Sequence, residues 1–280
     1  MSIDFVELPH LSAGFYQSLV LSNESDEGSV AEGEKGEKGE KGKKSSCYSF
    51  GAHRNSLQCI QWPSLNQKEV QPGDSTGREE NLFSAEPFVL EDLSGLNVVQ
   101  VSCGGNHCAI LEKRPGEECG QVWVWGLGNG GRLGIKRPKK TSDVQEILKN
   151  SRCSADAVTN LMSNRAYVQS LTGDNKKWSL HIPVRVKFGS RIASISCGTD
   201  YTLALTEDGS IYAWGVGSYG NLGTGLICDQ YEPALVQMPE NVPCRQVAAG
   251  TKHSMALSTQ GTPGHTFETY QNHQKNIRKT

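Results

Sequence analysis

The 280-residue chain lacks several features that mark common functional classes. Its nine cysteines include no Cys-X-X-Cys pair, which argues against a zinc ribbon or a thioredoxin-like redox motif. No run approaches the ~18 apolar residues that a membrane-spanning helix needs, so no membrane partner is expected. The net charge of −2 gives no overall field that attracts nucleic acid, and direct nucleic-acid binding is not expected.

The amino-terminal segment also lacks targeting signals. Residues 1–8 carry neither a basic leader nor an apolar stretch of signal-peptide length, and they are not Arg-rich as a mitochondrial presequence is. The cysteine density is too low for a disulfide scaffold. We therefore expect a reduced, intracellular protein of the nucleus, the cytoplasm or both.

What the sequence does contain is one short phrase repeated four times. Each copy has two small residues, a glycine, three turn residues, a small residue and an apolar triplet, at 12–21, 102–111, 196–205 and 248–257. Such self-similarity marks a repeat architecture in which no single unit folds alone. The predicted structural positions of this phrase are Gly14, Gly104, Gly198 and Gly250.

A second phrase, an aromatic or β-branched run that ends in glycine, follows the first three copies. This composition is typical of a strand that a turn stops. In the third copy only residues 206–210 separate the two phrases, and Asp208-Gly209 is a strong signal for a hairpin turn. Each copy is therefore predicted to be a β-hairpin. The structural positions of the second phrase are Phe50, Gly51, Trp125, Gly126, Trp214 and Gly215.

Further short strands complete each unit. Pro87, Pro183 and Pro233 are each predicted at the first residue of a strand, where no ladder donor is required. Four strands per unit and the 52 residues between Gly198 and Gly250 predict propeller blades. The fold class is therefore all-β, a β-propeller of about three and a half blades that forms an incomplete ring.

Three insertions interrupt the repeat, at about 23–46, 52–84 and 135–180. The first contains Gly-Glu-Lys triplets without proline and is predicted to be a disordered, solvated loop rather than a triple helix. The third carries Val144, Ile147 and Leu148 at the spacing of a short amphipathic helix. We predict a partial propeller over 1–261 and a divergent, non-repeat tail over 262–280.

The phrases at 198–205, 208–209, 212–215 and 219–225 together resemble the repeat of the regulator of chromosome condensation family. The resemblance implies a β-propeller, normally of seven blades, so this chain is expected to be a partial or truncated member. It implies less about activity, because fold does not settle function. Members include a guanine-nucleotide exchange factor for the small GTPase Ran that docks on nucleosomes, a plant ultraviolet-B photoreceptor and interaction scaffolds.

One branch of that family is not expected here. The photoreceptor places tryptophan directly after the repeat glycine and stacks those rings to absorb light. This chain has other residues at the corresponding positions, so ultraviolet sensing through tryptophan is not expected. Those residues are Phe15, Gly105, Thr199 and Thr251.

The sequence shows no catalytic or cofactor-binding centre. Segments 126–131 and 215–220 match Gly-X-Gly-X-X-Gly, but the residues that follow are turn-rich and cannot open the helix that holds a dinucleotide's phosphates. One position of the repeat is occupied by His107, His253, Tyr201 and Gln17. This variety of hydrogen-bonding side chains favours a structural role over catalysis. We therefore expect no enzyme, no cofactor and no metal.

Two basic clusters remain, at 41–44 and 136–140, and a solvated loop is the simplest interpretation of both. The second is the better interaction candidate because it follows the predicted blade turn at Gly134 and would project from one propeller face. The candidate partner-binding residues are Lys136, Arg137, Lys139 and Lys140. The leading hypothesis is a non-catalytic propeller module that binds a protein partner through blade loops. The alternatives are a guanine-nucleotide exchange factor for a small Ran-like GTPase and a chromatin- or histone-binding regulator.

Overall fold

A computed structural model describes residues 11–13, 17–23, 45–52, 83–90, 93, 95–113, 120–173, 177–238, 242–259 and 266–267. The strands in these ranges are β1 (Leu11–Ala13), β2 (Gln17–Asn23), β3 (Ser45–Ala52), β4 (Phe83–Val89), β5 (Val98–Cys103), β6 (His107–Glu112), β7 (Gln121–Leu127), β8 (Ser179–Arg185), β9 (Ile192–Cys197), β10 (Tyr201–Thr206), β11 (Ile211–Gly215), β12 (Gln230–Leu235), β13 (Cys244–Ala249), β14 (Ser254–Ser258) and β15 (Thr266–Phe267). The helices are α1 (Thr141–Lys149), α2 (Ala155–Ser163) and α3 (Arg165–Thr172).

Consecutive strands form four antiparallel sheets, which we call blades A (β1–β4), B (β5–β8), C (β9–β12) and D (β13–β15). The first strand of each blade packs against the first strand of the next, β1 on β5, β5 on β9 and β9 on β13. The first strands therefore lie on the inside of the assembly and the fourth strands on the outside. This is the arrangement of propeller blades, and it confirms the predicted all-β fold class.

The apolar triplet of the repeat phrase is explained by burial on both faces of a blade. Along β6, Cys108 and Ile110 belong to the core between blades A and B, whereas Ala109 and Leu111 belong to the core between B and C. Because each inner strand is packed on both sides, its sequence is continuously apolar rather than alternating.

The predicted hairpins are confirmed in blades A, B and C, where β2 pairs with β3, β6 with β7 and β10 with β11. In blade C the turn has Gly209 at φ 86°, and Leu205 lies opposite Ile211. Hydrogen bonds from Thr206 and from the Ser210 main chain to Asp208 lower the pKa of this carboxyl group. The Asp-Gly turn thus forms where the sequence placed it.

The prediction that the prolines open strands is wrong. Pro87, Pro183 and Pro233 lie inside β4, β8 and β12, which are the outermost strands of their blades. The N–H groups of Val186 and Val236 bond inward, at 2.9 and 2.8 Å, so alternation turns the nitrogens of Pro183 and Pro233 outward. A proline at such a position breaks no hydrogen bond within the blade. It also removes one N–H donor from the outer edge, where a further strand could otherwise pair.

Between β7 and β8 lies a helical segment, residues 135–178, which we call the insert. The predicted amphipathic helix is confirmed as α1, with Val144, Ile147 and Leu148 buried. Helices α2 and α3 were not predicted. Their N-terminal caps are side-chain hydrogen bonds, from the N–H of Ala157 to Ser154 at 3.2 Å and from the N–H of Tyr167 to Asn164 at 3.1 Å.

Two residues of the tail pair with blade D. Thr266 and Phe267 pair with Met255 and Ser254 and so supply a third strand to blade D. Main-chain pairing needs no repeat motif, which is why the phrase analysis did not find it. The Gly-Glu-Lys loop and most of the 52–84 insertion lie outside the described residues. In the described part of the chain, no helix is long and apolar enough to cross a membrane.

Candidate interaction site

The glycines of the first repeat phrase lie where the turns of successive blades meet. A Cβ atom on Gly104 would lie 2.6 Å from the carbonyl oxygen of Gly198, and one on Gly198 would lie 2.6 Å from that of Gly250. The N–H of Gly105 also donates to the oxygen of Thr199 at 2.8 Å. Close approach of the backbones therefore explains Gly104 and Gly198, whereas a Cβ atom on Gly250 would meet the ring of His253. Gly14 lies outside the described residues.

The glycines of the second phrase are required by their backbone conformation. Gly126 and Gly215 have φ values of 109° and 115°, a region that side chains disfavour. Trp125 and Trp214, which precede them, are buried, and the indole N–H of Trp214 donates to the oxygen of Arg132 at 3.1 Å. Phe50 and Gly51 lie in β3 of blade A.

Serine hydroxyls join the blades at their inner strands. The first serine of each phrase accepts a hydrogen bond from the main chain of the next blade, Ser12 from Cys103 at 2.9 Å and Ser102 from Cys197 at 2.8 Å. Ser196 accepts in the same way from Ala249, at 2.9 Å. These bonds form a ladder of equivalent contacts, and Ala248 has no hydroxyl to continue it from blade D.

Of the residues that share one position of the repeat, His107 and Tyr201 join neighbouring blades, whereas the side chain of His253 is exposed. The Nε2 of His107 lies 2.9 Å from the hydroxyl of Thr202, and the hydroxyl of Tyr201 donates to the oxygen of His253 at 2.5 Å. Burial lowers the pKa of His107 to about 4, and the nearby Arg132 guanidinium contributes further. These side chains are engaged in packing the blades together. Among the described residues no cluster of His, Cys, Asp or Glu is arranged to hold a metal.

The insert is fixed along the outer edge of blade B. The N–H of Arg185 on β8 donates to the oxygen of Asn150 at 3.0 Å, and Ser151 forms an isolated bridge with Val184. Leu148 and Leu171 are buried in the same core as the strand residues of blade B. The helices are therefore built into the blade and present a defined surface.

The four candidate cations have different surroundings. Arg137 donates to the carbonyl oxygens of Leu171 and Gly173, at the C-terminal end of α3. Lys136 forms an ion pair with Glu232 of blade C at 2.5 Å. The side chains of Lys139 and Lys140 are exposed. Arg137 is thus held in a structural contact, whereas the lysines reach the surface.

The turn before α1 is organised by one carboxylate. Asp143 accepts from the N–H groups of Lys139 and Lys140, at 3.0 and 3.2 Å, and these bonds lower its pKa. Asp143 is the third residue of α1 and accepts from the backbone just before the helix, as in a capping box, so it fixes the direction in which the basic segment enters α1.

A groove of about 930 Å³ separates the insert from β12 of blade C, and we call it the perimeter groove. Its basic lining includes two residues that the sequence analysis missed, Arg185 and Lys187. Both follow Pro183 at alternate positions, and outward alternation on an outer strand is the signal that could have found them. Lys187 pairs with Glu146 of α1 at 3.2 Å, and both side chains are about 70% exposed. The other charged lining residues are Lys136, Arg137, Lys139, Asp143 and Glu232.

Comparisons with known proteins identify the same repeat. A family model described as the regulator of chromosome condensation (RCC1) repeat matches residues 208–257, and a second model of that description matches 192–221. The Arabidopsis thaliana ultraviolet-B receptor UVR8 is 29% identical over 216 residues, which are 71% of this chain and 47% of the receptor. The human probable E3 ubiquitin-protein ligase HERC3 is 32% identical over 206 residues, 68% of this chain and 19% of the ligase.

Solved structures are similar in fold. Human WBSCR16 superposes with a TM-score of 0.55 at 20% identity, covering 93% of this chain and 48% of that one. Prp20p of Saccharomyces cerevisiae gives 0.50 at 20% identity, covering 90% and 41%. The chain thus spans less than half the length of each of these relatives.

Proposed function

The chain belongs to the regulator of chromosome condensation repeat family, and from that premise we propose that it is a non-catalytic binding module whose insert receives an acidic surface of a protein partner. The single observation that carries this proposal is the perimeter groove. Five basic side chains and three carboxylates line this groove, so its charge is positive on balance even though two of the cations are paired within it.

Charge distribution supports an acidic partner. Residues 135–178 contain nine Lys or Arg and four Asp or Glu, although the chain as a whole has a net charge of −2. The insert is therefore a basic segment on an otherwise acidic protein. Such local asymmetry steers a partner of opposite charge and sets its orientation more than it adds raw affinity.

The roles of the repeat residues support a non-catalytic module. His107 and Tyr201, two titratable residues buried near the blade turns, bond to the neighbouring blade. The loops outside this framework differ from blade to blade, and binding residues are disproportionately found on loops that a rigid scaffold positions. The insert is the largest such loop in the described ranges.

A site-specific crosslinking experiment tests the proposal. A photoreactive amino acid is placed at Lys139 in the perimeter groove and, as the matched control, at Arg245, which is an exposed basic residue on blade D. We expect position 139 to capture a protein through an acidic segment, and position 245 not to capture it. Capture of the same proteins from both positions, or capture through basic or apolar segments, would contradict the proposal.

Nucleotide exchange on a small GTPase is a second candidate. It is favoured by the likeness to Prp20p, whose structure is described together with its binding to Gsp1p and histones. Exchange needs no acid–base chemistry, only displacement of the nucleotide's phosphate and magnesium contacts. Release of a fluorescent nucleotide is measured across a panel of small GTPases, and no acceleration for any of them excludes exchange.

Chromatin binding is the same proposal with an acidic surface of the histones as the partner. It predicts that nucleosome association weakens as salt increases and is lost when Lys139 and Lys140 are neutralised. Association that withstands both changes would place the contact elsewhere on the chain.

A further inference from the structure

Two cysteines face each other across the first hairpin of blade B. Cys103 ends β5, Cys108 lies near the start of β6, and the two are direct partners in the strand register. Their sulfur atoms are 3.7 Å apart, and both side chains are buried at 5% exposure or less. The pair lies outside the perimeter groove and has no part in the proposed function.

The hairpin register brings these side chains as close as an antiparallel sheet allows. The next pair toward the turn is hydrogen-bonded, because the N–H of Gly104 donates to the oxygen of His107 at 2.8 Å. The N–H of Cys103 points away from the hairpin, to Ser12 of blade A. The cysteines therefore form a non-hydrogen-bonded pair, for which the Cα separation is about 4.5 Å, within the range that a disulfide spans.

This dithiol is a departure of blade B from the repeat. The equivalent pairs elsewhere are Cys197 with Thr202 in blade C and Ala249 with Ser254 in blade D. In blade A, Ala13 faces Ser18. Alanine and serine therefore satisfy the packing of this position, and two thiols are not required for the fold.

We propose that Cys103 and Cys108 are a site of reversible oxidation to a disulfide, with a peroxide as the oxidant. One thiolate attacks a peroxide oxygen, and the O–O bond breaks to give a sulfenic acid and one water. The second sulfur then displaces the sulfenic oxygen as a second water and forms the S–S bond. Two thiols and one hydrogen peroxide thus give one disulfide and two waters, and a dithiol reductant reverses the change.

The surroundings set the conditions for this reaction. Bonding to Cys103 and burial raise the pKa of Cys108, so little thiolate exists while the hairpin is closed. Oxidation therefore proceeds through local opening of the β5–β6 turn. Once formed, the disulfide closes this turn, which contacts blade C through the bond from Gly105 to Thr199.

The neighbouring thiol of Cys47 is the internal competitor. It lies in the same core between blades A and B, and burial, with Cys103 nearby, raises its pKa to about 12. It belongs to β3 of another blade and is not a register partner of either cysteine. The geometry therefore selects the pair within the hairpin.

The test uses the full chain, treated with hydrogen peroxide in a low concentration of urea that permits local opening. Free thiols are then alkylated under denaturing conditions and the protein is digested. We expect the peptide that contains both cysteines to lack the alkyl groups and to be about 2 Da lighter than its reduced form, because two hydrogens are removed. Treatment with dithiothreitol before alkylation should restore both alkylation sites.

Matched variants separate this reaction from general oxidation. Cys103→Ala and Cys108→Ser introduce residues found at the equivalent positions of other blades, so both should fold and neither should give the lighter peptide. Cys47→Ala should still give it. Full alkylation of both cysteines after peroxide treatment, or a predominant crosslink from Cys103 to Cys47, would overturn the proposal.

Discussion

The serine ladder between blades makes a quantitative prediction for Ser102→Ala. The hydroxyl of Ser102 accepts from the N–H of Cys197 at 2.8 Å, and both residues are buried. Removing the hydroxyl leaves a buried N–H without this acceptor, which costs about 1–3 kcal/mol of unfolding free energy. For a chain of this size, each kcal/mol of lost stability lowers Tm by roughly 2–4 °C.

Urea unfolding followed by circular dichroism measures this loss. We expect a lower midpoint with an unchanged slope, since the variant alters stability and not the surface exposed on unfolding. Ser163→Ala is the matched control, because Ser163 is exposed at the end of α2 and its loss should matter little. Ser102→Thr retains the hydroxyl and should recover most of the stability. If Ser102→Ala unfolded at the same urea concentration as Ser163→Ala, the ladder would not stabilise the blades.

Three further predictions concern the other contacts. The pKa of His107 is lowered to about 4, so the unfolded chain binds a proton that the folded chain does not, and stability should fall by about 2 kcal/mol from pH 7 to pH 5. His107→Gln, with the residue that blade A has at this position of the repeat, should remove that part of the pH dependence in urea titrations, and an unchanged pH profile would contradict the assignment. Gly198→Ala should cost about 1–3 kcal/mol, because its Cβ meets the oxygen of Gly250, whereas Gly189→Ala has open space and should be neutral in the same assay. Arg137→Ala should lower stability by about 1–2 kcal/mol by removing its bonds to the end of α3, and Lys140→Ala should not; equal effects of the two would mean that Arg137 is only a surface charge.

The sequence alone was sufficient for the blades because their signals are local. The Asp208-Gly209 turn and the glycine-terminated aromatic runs define hairpins within about 20 residues, and the hairpins formed as predicted. The amphipathic spacing of Val144, Ile147 and Leu148 likewise defined α1. In α2, Val158, Leu161 and Met162 have the same spacing and pack against the core, so this helix was missed although its apolar pattern was present in the sequence.

The contacts between blades could not be predicted in the same way. The ladder joins Ser102 to Cys197, 95 residues apart, and nothing in either phrase shows which neighbouring atom the hydroxyl meets. The prolines were misplaced for a related reason, since only the sheet order shows that their strands are outermost. The perimeter groove likewise combines distant segments, such as Lys136 with Glu232. The basic cluster was found in the sequence. The structural role of Arg137 and the place of Arg185 in the groove are seen only when the insert is packed against blade B.

The most direct test of the account is the affinity of the partner captured at position 139 for three forms of the chain. These are the unaltered protein, the double variant Lys139→Glu with Arg185→Glu, and the control Arg245→Glu. Reversing two charges of the perimeter groove should weaken binding by about tenfold or more, most strongly at low salt, while the control should bind as the unaltered protein does. Equal affinity of all three forms would contradict the claim that the insert and its groove are the site where this propeller binds its partner.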